Sequence, residues 1–391
     1  MEKAKKRTTA PELLFVFYYF SFSLLKPIVT KYSTYSTIIL LTITIIVVVS
    51  YLFKSKMRLN RGNIYRFFLL FLFVSALFLL DRLFRPNIII GSYYYSFIIY
   101  ALVPLFLLIN VNDYAKLLYY WSILSVCTGV LFLADPFFNY RWSGDYMSFG
   151  FEAILPAFAG SVLLLMYYKK KGAALFIIVF FLEIFICANK GAILTAFALF
   201  IVGYCIFSSK GNILWIRLTV MVFAGAFVYT LRTEIISMLI GLADSLKLNS
   251  YSLRSFSIMI ENKDIFGLRL DLWEYAWQLF CKKPILGYGI GYLEVTTNNY
   301  AHNFFLDIMV SSGAVVCLGI IMILIYSIVF ILRRFSEEKR IFAILMLVIW
   351  LVPMTISLTL WEVMPFWVYW GIISYSDGLL GEKVSIKNVY R

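Results

Sequence analysis

Histidine is almost absent from this chain: His302 is the sole one in 391 residues. Cysteine is scarce too, and the five present (Cys127, Cys187, Cys205, Cys281 and Cys317) include no C-x-x-C pair. A metal centre is therefore poorly supplied with imidazole and thiolate ligands. Four of the cysteines fall in or near apolar runs, and Cys281 lies outside them. They read as small buried hydrophobes. Charge is sparse as well, at 14% of residues, against about 25% in a soluble domain. What fills the gap is apolar: 62% of the chain, including 37 Phe and 28 Tyr. One core cannot hide that excess, so lipid must solvate most of the surface, with aromatic rings at the lipid–water boundary.

Acidic residues are fewer than basic ones, and the net charge is +14. Such a balance suggests nucleic acid as a partner. The distribution excludes it, because Lys and Arg sit in short clusters between apolar runs, where they encode topology.

A helix needs about 20 residues to cross the hydrocarbon core. Apolar runs recur at 12–26, 35–53, 66–81, 88–109, 116–134, 150–168, 173–188, 191–208, 213–231, 304–332, 341–360 and 363–378. They make twelve candidate spans, with 173–188 and 363–378 short for the task. The basic Met1–Arg7 segment before the first run resembles a signal peptide. No small-residue cleavage site follows, so we read a retained first span that ends at Lys26-Pro27. Basic residues then fall mostly on the side of the N-terminus: Lys54, Lys56, Arg58, Arg61, Arg66, Lys169 to Lys171, Arg333, Arg334, Lys339, Arg340 and the tail. Both termini are expected in the cytoplasm, at a bacterial cytoplasmic membrane. The expected fold is an all-α polytopic membrane protein with about 12 transmembrane helices and one large extracytoplasmic loop. It divides into 1–231, a bundle of about nine spans; 232–303, the outside loop; and 304–391, about three spans and a cytoplasmic tail.

An outside loop as long as 232–303 is expected to carry its own structure and a function. From Leu270 on, Leu270, Trp273, Trp277 and Phe280 recur at helical spacing, while Asp271, Glu274 and Gln278 occupy another face. Pro284 ends the pattern. Such a helix is expected to lie on the membrane with its tryptophans down.

Cations outside run against the topology rule. Arg141, Lys190 in the tight turn Asn189-Lys190-Gly191, Arg254 and Arg269 are the cases. Each taken alone reads as a lipid-phosphate contact or a helix cap; a converging set suits a phosphate ligand. His302 precedes a span, with Asn303 as its N-cap. The helix dipole disfavours imidazolium there, and a neutral ring is able to take a proton from a sugar hydroxyl. On the residues alone, an interfacial histidine without a role is the slightly preferred reading. The run Pro284-Ile285-Leu286-Gly287-Tyr288-Gly289-Ile290-Gly291 is not a dinucleotide loop, since no strand precedes it. It reads as a tight turn that lets backbone approach a ligand. Glu12, Glu152, Glu183, Asp307 and Glu362 lie within apolar runs, where acids are costly and often functional. Glu152 and Asp307 are expected to hold an arginine in place.

The ordered set Arg269, Trp273, Pro284-x-x-Gly287-x-Gly289, His302-Asn303, Leu306 and Gly313 resembles the signature region of the O-antigen polymerase and ligase superfamily. Arg141-x-Ser143-Gly144 and Asn189-Lys190-Gly191 resemble two further patches of that family. The resemblance implies an enzyme that moves glycan from undecaprenyl pyrophosphate to a hydroxyl at the outer membrane face, in capsule, exopolysaccharide or O-antigen synthesis. It implies His302 and Arg269 as catalytic residues. Lys190, Arg141 and Arg254 would bind pyrophosphate, and Asn303, Asp307, Gly287 and Gly289 would support them. Lys190 stands where the family usually has arginine, so a bidentate fork is lost there. No cofactor and no metal are implied, because cations of the chain would meet the leaving group's charge. The implied partners are the lipid-linked oligosaccharide, the bilayer, and a chain-length regulator and flippase of the same pathway; nucleic acid is not one. A polymerase is the reading adopted, with a ligase as its nearest rival. A lipid-linked oligosaccharide flippase is the rival from another class. It calls for two related halves, which this sequence does not display.

Overall fold

The computed structural model describes all residues except 1–9, 33–35, 55–59, 86, 134–146, 148, 188, 207–231, 248–252, 254–257, 259–268 and 376–391. Among the described residues the structure is helical, without a strand. The helices are α1 (Ala10–Tyr32), α2 (Ser36–Lys54), α3 (Arg61–Phe84), α4 (Ile89–Leu108), α5 (Tyr114–Phe132), α6 (Phe149–Met166), α7 (Ala173–Cys187) and α8 (Lys190–Ile206). After these come α9 (Arg232–Ser245), α10 (Arg269–Lys282), α11 (Tyr292–Thr297), α12 (Phe304–Arg334), α13 (Glu337–Met354) and α14 (Met364–Ser374).

Five of these, α3, α4, α5, α6 and α12, are long and apolar enough to cross a membrane. The chain is a multi-pass membrane protein. By length and composition, five of the described helices qualify as spans, beside shorter apolar helices such as α7 and α8. The expected run 213–231 lies outside the described residues. Two boundaries differ from expectation. Lys26-Pro27 does not end α1, which continues to Tyr32. The run 341–360 is helical only to Met354, where Pro353 has removed an amide donor. A non-helical stretch and a short 3-10 turn, Leu360–Glu362, then lead into α14.

The bundle centre is α6, which packs on α5, α7 and α8. Small residues make that crossing close. A Cβ on Gly160 would collide with the Ser125 side chain, and one on Gly129 with Ala157. Van der Waals contact at such small-residue seams is what joins helices in lipid, where burial of apolar surface offers no drive. Outward faces stay apolar, as on α3, where Leu72, Phe73 and Leu79 are exposed. Cys127 and Cys281 are also exposed, contrary to the expectation of burial, whereas Cys317 is buried.

The connecting segments sort into two ends. At one end the buried Glu12 accepts from the amides of Asn112 and Asp113, at 3.3 and 3.1 Å. Asn60 N donates to Asn110 there, and the Lys339 ammonium lies over the Tyr114 ring. At the other end the α3–α4 corner meets residues 286–294, and Tyr300 meets Ser357. Segments expected on one side of the membrane therefore meet one another.

A cradle around His302 at one end of the bundle

Two devices fix the N-terminus of α12. Asn303 (φ −152°, ψ 113°) caps it, its side chain accepting from Phe305 N at 3.1 Å and Leu306 N at 3.2 Å. These are two of the four amides that a helix start leaves unpaired. Between two and three turns further on, α12 kinks at Gly313 (φ 81°, ψ 177°). Amides of the glycine loop take up carbonyls there: Tyr288 N donates to Val310 O at 2.8 Å and Gly289 N to Ser311 O at 2.9 Å. In return, Ala314 N donates to Pro284 O at 2.7 Å.

The glycines make this contact possible. Gly287 (φ 61°) has Ser311 backbone 2.5 Å from where a Cβ would sit. A Cβ on Gly289 (φ 103°) would lie 2.9 Å from the Asp81 carboxylate and the Arg85 side chain. The space left by these glycines is taken up by the Ser311 backbone at Gly287 and by the Asp81 and Arg85 side chains at Gly289. The α3–α4 corner straps the same loop: Asp81 Oδ2 accepts from Ile290 N at 2.6 Å, and Asn87 Nδ2 donates to Ile290 O at 2.6 Å.

His302 sits one residue before the cap, with φ 52°. A non-glycine residue held in the left-handed region is uncommon and recurs at functional sites. The Tyr300 ring packs on the imidazole, centroids 4.1 Å apart at 42°. Arg269 is the first residue of α10, and its charge acts on the imidazole. The Trp273 indole, one turn on, donates to Ala301 O at 2.8 Å, and Ala276 and Leu279 pack with Leu293, Ala301 and Val310. Burial, then the nearby Arg269 charge, pull the His302 pKa down to about 4. The ring is neutral at pH 7. Its Nδ1 is buried and has no hydrogen-bond partner among the described residues.

The apolar face of α10 divides between the protein and the outside. Trp273 turns inward to Ala301 while Leu270 and Trp277 stay exposed. Lys190 opens α8, half-buried, behind Asn189, whose Oδ1 accepts from Ala192 N at 2.8 Å. A Cβ on Gly191 would lie 2.8 Å from the Phe151 ring and 3.1 Å from Ile356, so the Lys190 turn is pressed onto that wall. Asp307 is half-buried in the first turn of α12. Its charged neighbour among the described residues is Glu294. Glu294 is buried, accepts from Tyr93 Oη at 2.8 Å, and is pushed above the usual carboxylate range by that burial. Arg141 and Arg254 lie outside the described residues. Among the described residues no three His, Cys, Asp or Glu side chains gather as a metal site.

Beside His302 opens a cavity of about 240 Å³, with Tyr19, Tyr100, Phe151, Glu152, Tyr300 and Glu362 among its lining. Two π-helical turns shape it: Ile98–Leu102 in α4 supplies Tyr100, and Phe149–Ile154 at the start of α6 supplies Phe151 and Glu152. Sequence reasoning missed Tyr19, Tyr100 and Tyr300. The spacing of Tyr300 from His302 was the one available signal, and 28 tyrosines obscured it.

The arrangement defines a membrane protein with an imidazole–guanidinium pair and an aromatic, acidic cavity at one end of a helical bundle. Residues 175–321 match the family model described as O-antigen ligase. The match runs from α7 past the α12 kink, taking in Lys190, Arg269, His302 and the glycine loop, and agrees with the resemblance to the O-antigen polymerase and ligase superfamily. It points to a membrane glycan polymerase or ligase. No curated protein and no solved structure matches the chain.

Proposed function

We propose that this protein is a polysaccharide polymerase. It transfers glycan from undecaprenyl pyrophosphate to a hydroxyl of a second lipid-linked repeat unit, at the outer face of the cytoplasmic membrane. The observation that carries the reading is the Trp273–Ala301 hydrogen bond, which holds the helix opened by Arg269 next to the segment of His302. Arg269 and Lys190 hold the pyrophosphate. His302 takes the proton of the attacking hydroxyl as its oxygen bonds to the anomeric carbon. The bond from that carbon to the phosphate oxygen breaks, and undecaprenyl pyrophosphate leaves with its charge met by the two cations. Arg141 and Arg254 belong to the same clamp in this reading.

An imidazole with a pKa near 4 is a weak base. The bound pyrophosphate strengthens it, because its negative charge offsets the Arg269 field. Base strength then appears only once the leaving group is seated. The test uses purified protein in lipid with undecaprenyl-pyrophosphate repeat units, reading chain length on gels. Long lipid-linked chains from wild type and none from His302→Ala are expected; equal chains from both would overturn the assignment.

A ligase is favoured by one observation, the description of the family model that matches residues 175–321. The same assay separates the two. A ligase leaves single units unjoined until a different terminal acceptor is added.

A further inference from the structure

We propose that the cavity beside His302 is the subsite for the sugar residue that bears the attacking hydroxyl, with Glu152 and Glu362 as its hydroxyl-binding groups. The inference rests on the function proposed above and names the part of the substrate that this cavity takes.

Charge is partitioned across the site. The cations, Arg269 and Lys190, open α10 and α8, whereas the cavity lining carries two carboxylates. A pyrophosphate is repelled by the second set and held by the first. What suits carboxylates is a cluster of hydroxyl donors, since charged acceptors make the stronger hydrogen bonds. The tyrosines Tyr19, Tyr100 and Tyr300 complete the chemistry. Their ring faces match the apolar C–H faces of a pyranose, and their hydroxyls serve its rim. A volume of about 240 Å³ sits just below the usual range for small-molecule clefts and admits roughly one sugar residue. The same two carboxylates disfavour an acidic sugar, so a neutral sugar is the ligand class.

Position ties the cavity to the reaction. Tyr300 lines it on one side and packs at a tilt on His302, ring centroids 4.1 Å apart. Phe151 lines it on another and abuts the Lys190-Gly191 turn, 2.8 Å from a Cβ at Gly191. A sugar in the cavity lies between the base and the cationic clamp. The helices are locally widened for it. Each π-helical turn gives up regular α-helical bonding, and such turns gather at functional sites. Here they present Tyr100, Phe151 and Glu152 to the same space.

The experiment uses the full chain in lipid nanodiscs, with two probes: the lipid-linked repeat unit and undecaprenyl pyrophosphate without sugar. Glu152→Gln and Glu362→Gln are each expected to weaken binding of the repeat unit about tenfold and leave undecaprenyl pyrophosphate binding unchanged. Glu362 is exposed on a short turn, so its variant carries the test if the Glu152 variant fails to fold. Repeat-unit affinity within twofold of wild type, or equal weakening of both probes, would overturn the proposal. The turnover assay assigns the sugar. Loss of the acceptor subsite should raise release of undecaprenyl pyrophosphate to water relative to transfer, several-fold; an unchanged ratio with weakened binding means that the cavity holds the donor sugar, and the assignment fails. The clamp reading fails separately, if Arg269→Ala leaves binding of undecaprenyl pyrophosphate intact.

Discussion

The indole of Trp273 donates to the carbonyl of Ala301 at 2.8 Å, and this bond ties the helix that carries Arg269 to the residue before His302. A buried hydrogen bond is worth about 1 kcal/mol net, but its geometric role here is larger than its energy. Trp273→Phe keeps the ring packing and removes the donor. We expect transfer activity to fall about tenfold with normal membrane levels, because a small displacement of a catalytic group lowers rate steeply. Chain-length gels beside immunoblots check this, and unchanged long chains would show that the bond is dispensable.

The clamp gives a second expectation. Arg269→Ala and Lys190→Ala should each remove most activity while the protein still inserts. Lys190→Arg should retain much of it, since a guanidinium supplies the same charge and adds a fork. Lys190 is half-buried, and the next residue, Gly191, abuts the Phe151 ring. An inactive, well-inserted Lys190→Arg protein would argue that this position is built for an ammonium.

Parts of this molecule are legible from sequence and parts are not, for physical reasons. Helices were readable because lipid demands long apolar runs, and Asn303 was readable because a cap acts on amides two and three residues away. The kink at Gly313 was not, because it depends on Tyr288 and Gly289 amides arriving from a distant loop. The same holds for the π-helical turns at Tyr100 and Phe151, which no local pattern announces. Asp307 looked like an arginine partner since an acid in an apolar run calls for a cation. Among the described residues its charged neighbour is another acid, Glu294, which accepts a hydrogen bond from Tyr93. Burial of one acid is met by protonation as readily as by a counter-charge.

Topology gives a third expectation. The Glu12, Asn60, Asn110 and Lys339 segments share one end of the bundle. Residues 286–302 share the other with the α3–α4 corner. Basic residues crowd the first end, so it should face the cytoplasm. Reporter fusions after Asn60, Lys171 and Glu338 should read as cytoplasmic, and one after Ser250 as external. An external signal at Lys171 would invert the map and move the site to the cytoplasmic face.

The last expectation concerns the proton. With one histidine in the chain, imidazole resonances of the isotope-labelled protein report His302 alone. In the empty site the ring should titrate at about 4, well below its ordinary value, owing to burial and to Arg269. The sign for activity follows. A general base works when unprotonated, so activity is retained above the pKa and lost as pH falls through it. Loss of kcat/KM, which reports the free enzyme, should therefore begin well below pH 6.5, the ordinary imidazole value, and loss of kcat at a higher pH than that. Arg269→Ala removes the positive neighbour but leaves the burial, so its titration should move up while staying below the ordinary value. Adding undecaprenyl pyrophosphate to wild type should move it up as well, because the pyrophosphate charge offsets the same guanidinium. A titration that ignores both the Arg269 substitution and the bound pyrophosphate would separate His302 electrically from the clamp. It would remove the link between leaving-group binding and base strength on which the proposed mechanism depends.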